Sequence, residues 1–253
     1  MNNVVIAGLW GLLSGSALII GAIVGYYCKI PQRIIGGIMA FGSGVLISAL
    51  SFDLMDEAFK TGGIFPAAIG FLGGSLIYSI ANYFVNQQGA KHRKRSGNQQ
   101  GNQEVELGKN NSTSIAVGAL LDGIPESIVI GVSMLAGGNV SMVAVIAIFL
   151  SNIPEGLSSA AGMRKAGKSP QYVFSIWMII AIISGLSSLS GYLIFGHFDA
   201  SVIAATTAIA AGAILSMIAN TMMPEAFESD HDSTGFITVL GFLAAFCLTK
   251  MAL

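Results

Sequence analysis

VSMVAVIAIFLSNIPEGLSSAAGMR, residues 140–164, has no basic residue before its last position. An α-helix needs about 20 apolar residues to cross the hydrocarbon of a bilayer. A soluble helix of this length would carry a polar face, whereas this one is interrupted only at Ser151–Asn152 and Pro154–Glu155. Similar runs recur from end to end. The 253 residues are 53% hydrophobic and only 10% charged, with mean hydropathy +0.73. Soluble domains carry about 25% charged residues. The sequence therefore reads as all-α and polytopic, a single transmembrane domain over residues 1–253.

Gly, Pro and charge divide the chain into eight candidate spans, near 4–27, 33–58, 63–86, 112–136, 140–164, 171–195, 200–227 and 234–251. Small residues stand one turn apart in several of them, such as Gly11 and Gly15, Gly21 and Gly25, or Gly70 and Gly74. That spacing lets helices approach closely in lipid, although composition alone accounts for any single pair. Lys29, Arg33, Lys91, Arg93, Lys94, Arg95, Lys109, Arg164, Lys165 and Lys168 fall on one side of an eight-span topology, leaving Lys60 and Lys250 on the other. The positive-inside rule then puts both termini outside a cell membrane. The polar stretch 86–111 becomes a cytosolic loop whose composition predicts disorder. MNNVV, at the start, has no basic region, so a cleaved signal is not expected. Net charge is −1, giving no sign of a nucleic-acid partner. Cys28 and Cys247 suggest neither a disulfide framework nor a metal pair.

DGIPES (122–127) and SNIPEG (151–156) align as two copies of one motif, and the alignment runs on to Met134 and Met163. Methionine is ordinary in apolar helices, so neither Met is placed in the site. MDEAF (55–59) and MPEAF (223–227) form a second pair. In each pair the host spans run in opposite directions, the pattern of inverted repeats in transporters. Proline inside a helix removes one donor and displaces the carbonyl four residues earlier, here Leu121 for Pro125 and Leu150 for Pro154. Asp122 and Glu126 share a helical face, as do Asn152 and Glu155. Facing helices would present these groups and the freed carbonyls as an oxygen-rich cage for a divalent cation. Kinks with snorkelling or paired carboxylates are the plainer reading. Depth argues against snorkelling, the lack of Lys or Arg within these spans argues against pairing, and ionisable groups in a membrane are functional by default.

These motifs resemble the fourth- and fifth-helix motifs of the ZIP family of divalent metal transporters, His-Asn-x-Pro-Glu-Gly and related forms. The resemblance extends to eight spans, outside termini, a variable loop after span three and the PEA ending of span seven. It implies carriage of zinc, iron, manganese or cadmium toward the cytosol through a binuclear-type centre between spans four and five. It also implies a mobile unit of spans one, four, five and six. Where the family has His and Asn in span four, this chain has Asp122 and Gly123. Ser151 stands at the span-five leading position, and the 184–191 stretch lacks the span-six Glu. The expected metal ligands are Asp122, Glu126, Asn152 and Glu155. Asp53 is either an entrance carboxylate or an interfacial residue.

Glu225, Glu228, Asp230, His231 and Asp232 read as a solvated acidic loop before a metal-collecting exit, and His197 and Asp199 as loop residues. The expected partners are metal ions as cargo and the lipid bilayer. No catalytic cofactor or enzyme activity is expected, and a homodimer stays open. A cation channel or cation/proton exchanger using the same carboxylates is the alternative. An intramembrane hydrolase ranks below both.

Overall fold

The computed structural model describes residues 2–87, 111–135 and 138–252. Most of the 86–111 loop lies outside the described residues. Eight long helices account for the architecture, with no strand among the described residues: α1 (Asn3–Tyr27), α2 (Gln32–Gly62), α3 (Ile64–Gln87), α4 (Asn111–Ser133), α5 (Met142–Lys165), α6 (Pro170–Phe195), α7 (Ala200–Ser229) and α8 (Thr234–Ala252). All eight are long and apolar enough to cross a membrane. Their starts follow local chemistry. The side chains of Asn2, Ser141, Ser169 and Asp199 accept from backbone N–H groups of the first turns of α1, α5, α6 and α7. Gly63 and Gly167, with φ of +81° and +74°, make the turns after α2 and α5, a backbone that a side chain would strain.

The polarity is that of a protein dissolved in lipid. Helix α3 turns Phe65, Ile69, Leu72 and Leu76 outward and buries Gly70, Gly74, Tyr78 and Asn82. Elsewhere in the interior lie Asp122, Glu126, Asn152, Glu155 and Glu225 with many serines. Because lipid tails are as apolar as leucine, tight backbone packing and polar contacts hold such helices together.

The packing has internal symmetry. Helices α1, α4, α5 and α6 pack on one another, and α2, α3, α7 and α8 form a second group. The groups meet chiefly where α2 lies along α5 and α7 lies along α4. Exchanging α1 with α6, α2 with α7, α3 with α8 and α4 with α5 carries this pattern onto itself. The α1–α5 contact becomes α6–α4, and α3–α7 becomes α8–α2. Exchanged helices are an odd number of spans apart, so they run in opposite directions. The repeats are inverted.

Glycines mark the closest approaches. A Cβ on Gly74 would lie 1.9 Å from the Ile209 carbonyl, and one on its counterpart Gly241 would lie 2.1 Å from the Phe41 carbonyl. Gly70 likewise meets α7, Gly21 and Gly25 meet α5, and Gly11 and Gly15 meet α6. These pairs sit at helix contacts and are not a by-product of composition.

The π-helical turns do not fall at the two motif prolines. Helices α4 and α5 run through Pro125 and Pro154 without interruption. Instead, α2 and α7 each contain one wide π-helical turn, Leu50–Leu54 and Ile218–Met222. The two turns are equivalent in the repeat: Gly44 and Gly212, Ser48 and Ser216, MDEAF and MPEAF flank them at one constant spacing. Before its turn α2 packs on α8, and after it on α7; before its turn α7 packs on α3, and after it on α2.

Candidate functional site

The motif side chains are deeply enclosed. Asp122 and Glu126 in α4 are 2% exposed, and Asn152 and Glu155 in α5 are 5% and 6% exposed. No Lys, Arg or His occurs in the sequence between Asn110 and Met163, so neither motif helix supplies a cation of its own across its membrane-spanning part.

Two of the four expected ligands have side-chain hydrogen bonds to other helices. Asp122 accepts a 2.7 Å hydrogen bond through Oδ1 from the Tyr78 hydroxyl of α3. The Asn152 amide donates from Nδ2 to the Ser14 carbonyl of α1 at 3.0 Å. Helices α4 and α5 touch each other little, because α4 is taken up by α6 and α7, and α5 by α1 and α2. Among the described residues, no three His, Cys, Asp or Glu side chains are grouped closely enough to hold a metal ion. Gly42 of α2 lies where the halves adjoin: a Cβ there would rest 3.5 Å from Pro154 and Ser151 and 3.6 Å from Met222.

Asp53 belongs to the wide turn of α2 and is half-buried. Its Oδ2 accepts from the Ser141 hydroxyl at 2.5 Å. Ser141 also caps α5 by accepting from the Ala144 N–H, and its own N–H donates to the Ser133 hydroxyl at 3.1 Å, which ties the end of α4 to the start of α5. Half-buried Glu57 follows one turn later in α2. Asp53 is thus set against the α4–α5 connection, at the face that carries the chain termini.

Near the opposite face the acidic cluster divides. Glu225 is 5% exposed and accepts from the Ser158 hydroxyl of α5 at 3.0 Å, so it is not part of a solvated loop. Its place in MPEAF, matching Glu57 in MDEAF, was the available signal. Asp230 lies between the spans and bonds Arg33 at 2.8 Å, joining the α7–α8 turn to the start of α2. The hydrogen bond from Arg33, helped by one from Ser233, lowers the Asp230 carboxyl to about 2. His231 packs edge-on against Phe227, with ring centroids 4.4 Å apart.

Sequence reasoning passed over Tyr78, Asn82 and Ser158. Tyr78 is one of several aromatics in an apolar helix, and only the fold brings its hydroxyl to Asp122. Ser14, Ser48 and Trp177 place buried polar atoms without a partner among the described residues. Buried hydroxyls of this kind are uncommon, and Ser14 is the residue whose carbonyl receives Asn152.

Comparison with models of known protein families returns no match, and comparison with curated proteins returns none. The functional reading therefore rests on the chain's own geometry and on the motif resemblance.

Proposed function

We propose that this protein carries divalent transition metal ions across a cell membrane, toward the cytosol, as a ZIP-like transporter. One observation carries the reading: Asp122, Glu126, Asn152 and Glu155 are buried within an eight-helix bundle, on motif helices that have no basic residue between Asn110 and Met163. Burying a carboxylate is costly unless it has compensating partners, and such groups in a membrane mark ion pathways. Asp53 and Glu57 toward one face and Glu225 toward the other extend the acidic residues along the bundle. Oxygen ligands of this kind suit manganese and ferrous iron, while intrinsic affinity still rises toward zinc. The basic residues on the side opposite the termini support an outside location for both ends.

A cation/proton exchanger is the second reading. It is favoured by the lack of a three-residue metal cluster among the described residues, since a proton needs only one carboxylate.

Purified protein in liposomes, offered zinc, iron, manganese and cadmium with and without a pH gradient, separates the two. Metal uptake that Glu126→Gln and Glu155→Gln each abolish, with folding retained, is the expected result. Near-normal uptake by either variant would make these motifs structural.

A further inference from the structure

Among the described residues, three hydrogen bonds to carboxylates cross the seam between the two helix groups, at three levels. Ser141 of α5 donates to Asp53 of α2 at 2.5 Å, near the terminal face. Tyr78 of α3 donates to Asp122 of α4 at 2.7 Å, in the interior. Ser158 of α5 donates to Glu225 of α7 at 3.0 Å, near the opposite face. Bonds inside the groups include Ser188 to the Ala7 carbonyl, Asn152 to the Ser14 carbonyl and the Ser75–Ser216 pair, together with the Arg33–Asp230 bond at the α7–α8 turn.

We propose that Tyr78, Ser141 and Ser158 are positioning residues that compete with the cargo cation for these carboxylates, so that loading a cation loosens the seam. This rests on the transport reading above. A hydroxyl hydrogen and a metal ion are both drawn to the same carboxylate lone pairs. A divalent ion sits about 2.0–2.6 Å from a ligating oxygen, and its charge repels the positive end of a donor O–H already held there. Binding therefore weakens or displaces the donor. The three donors link the α1–α4–α5–α6 group to the α2–α3–α7–α8 group, so displacement removes ties between groups while leaving ties within each group intact. The hydroxyls tie the two groups together, and the cargo releases what the hydroxyls hold.

The sign of this prediction separates competition from support. A hydroxyl that props up a ligand would weaken binding when removed, whereas a competitor strengthens it. Hydrogen bonds to charged groups imply that Tyr78→Phe binds its cation roughly tenfold more tightly. Ser158→Ala is expected to move the same way by a smaller factor. Ser141→Thr keeps the donor and the helix cap, and stays native-like. Ser75→Ala, within one group, leaves affinity unchanged.

The test is equilibrium binding of manganese and, separately, zinc to the full-length purified protein, with liposome uptake measured on the same preparations. A lower dissociation constant for Tyr78→Phe or Ser158→Ala, for the ion that the native protein binds, bears the inference out. If Tyr78→Phe fails to fold, as judged by size-exclusion chromatography, Ser158→Ala carries the test. Unchanged or weaker binding in the folded donor variants, with native uptake intact, overturns the inference and leaves the transport reading standing. Failure of the native protein to bind either ion overturns both.

Discussion

Gly73 and Gly74 are neighbours in α3 with opposite surroundings, and they allow the packing to be tested in one pair of variants. A Cβ at position 73 meets nothing within 4 Å, whereas one at position 74 would lie 1.9 Å from the Ile209 carbonyl oxygen and 2.6 Å from its carbon. Ordinary contact begins near 3.4 Å, and a helix carbonyl cannot swing aside as a side chain can. Helices α3 and α7 would have to part along much of their shared length. Overpacking of this kind costs about 1–3 kcal/mol, and replacing a helical glycine by alanine returns at most about 1 kcal/mol. Gly74→Ala should therefore lose up to about 2 kcal/mol net, while Gly73→Ala gains about 0.5–1 kcal/mol. Unfolding in mixed micelles with a rising fraction of denaturing detergent, followed by circular dichroism, reads the difference directly. Equal stability of the two variants, or a more stable Gly74→Ala, would refute the close α3–α7 contact.

Asp122→His should raise zinc uptake relative to manganese, because imidazole suits zinc better than a carboxylate does. An unchanged ratio in liposomes would remove Asp122 from the ligand set. A cysteine at Asn139 should react only from outside intact cells, and one at Ala166 only from the cytosol; labelling of both from one side would break the eight-span topology. The Asp230 carboxyl is held at about 2 by Arg33 and Ser233, below its ordinary value. A depressed folded value means that the stabilisation is complete above that ordinary value, about pH 4, and is lost as pH falls toward 2. Asp230→Asn should melt with a flatter pH dependence across that window than the native protein, and parallel curves would deny the Arg33–Asp230 bond a role in solution.

The span pattern was legible because a helix in lipid must satisfy its backbone internally, which leaves hydropathy little freedom. The sequence estimate of 171–195 differs by one residue from Pro170–Phe195. The inverted repeat was legible from two motif pairs because its copies kept Pro, Glu, Met and Phe. What could not be read was which buried group meets which. Asp122 accepts from Tyr78 and Asn152 donates to the Ser14 carbonyl, partners far away in sequence. Nor were the wide turns visible, since LSFDL and IANTM share no residue. Proline marks the motif helices α4 and α5, and neither wide turn contains one. Glu225 was misjudged because its neighbours Glu228, Asp230 and Asp232 make a hydrophilic run, although one helical turn separates the enclosed position from the wet ones.

The wide turns have a consequence for counting. Successive residues of an α-helix are about 100° apart around its axis, so a turn that holds one extra residue resets the phase of everything after it. Glu57 and Glu225 lie beyond such a turn, and their directions depend on how many residues precede them. A substitution at Phe52 or Asn220 alters what the turn touches and leaves the phase alone. Deleting either residue would tighten the turn to ordinary helix and swing MDEAF or MPEAF to another side of its span. In α2 and α7 length is therefore a stricter constraint than composition.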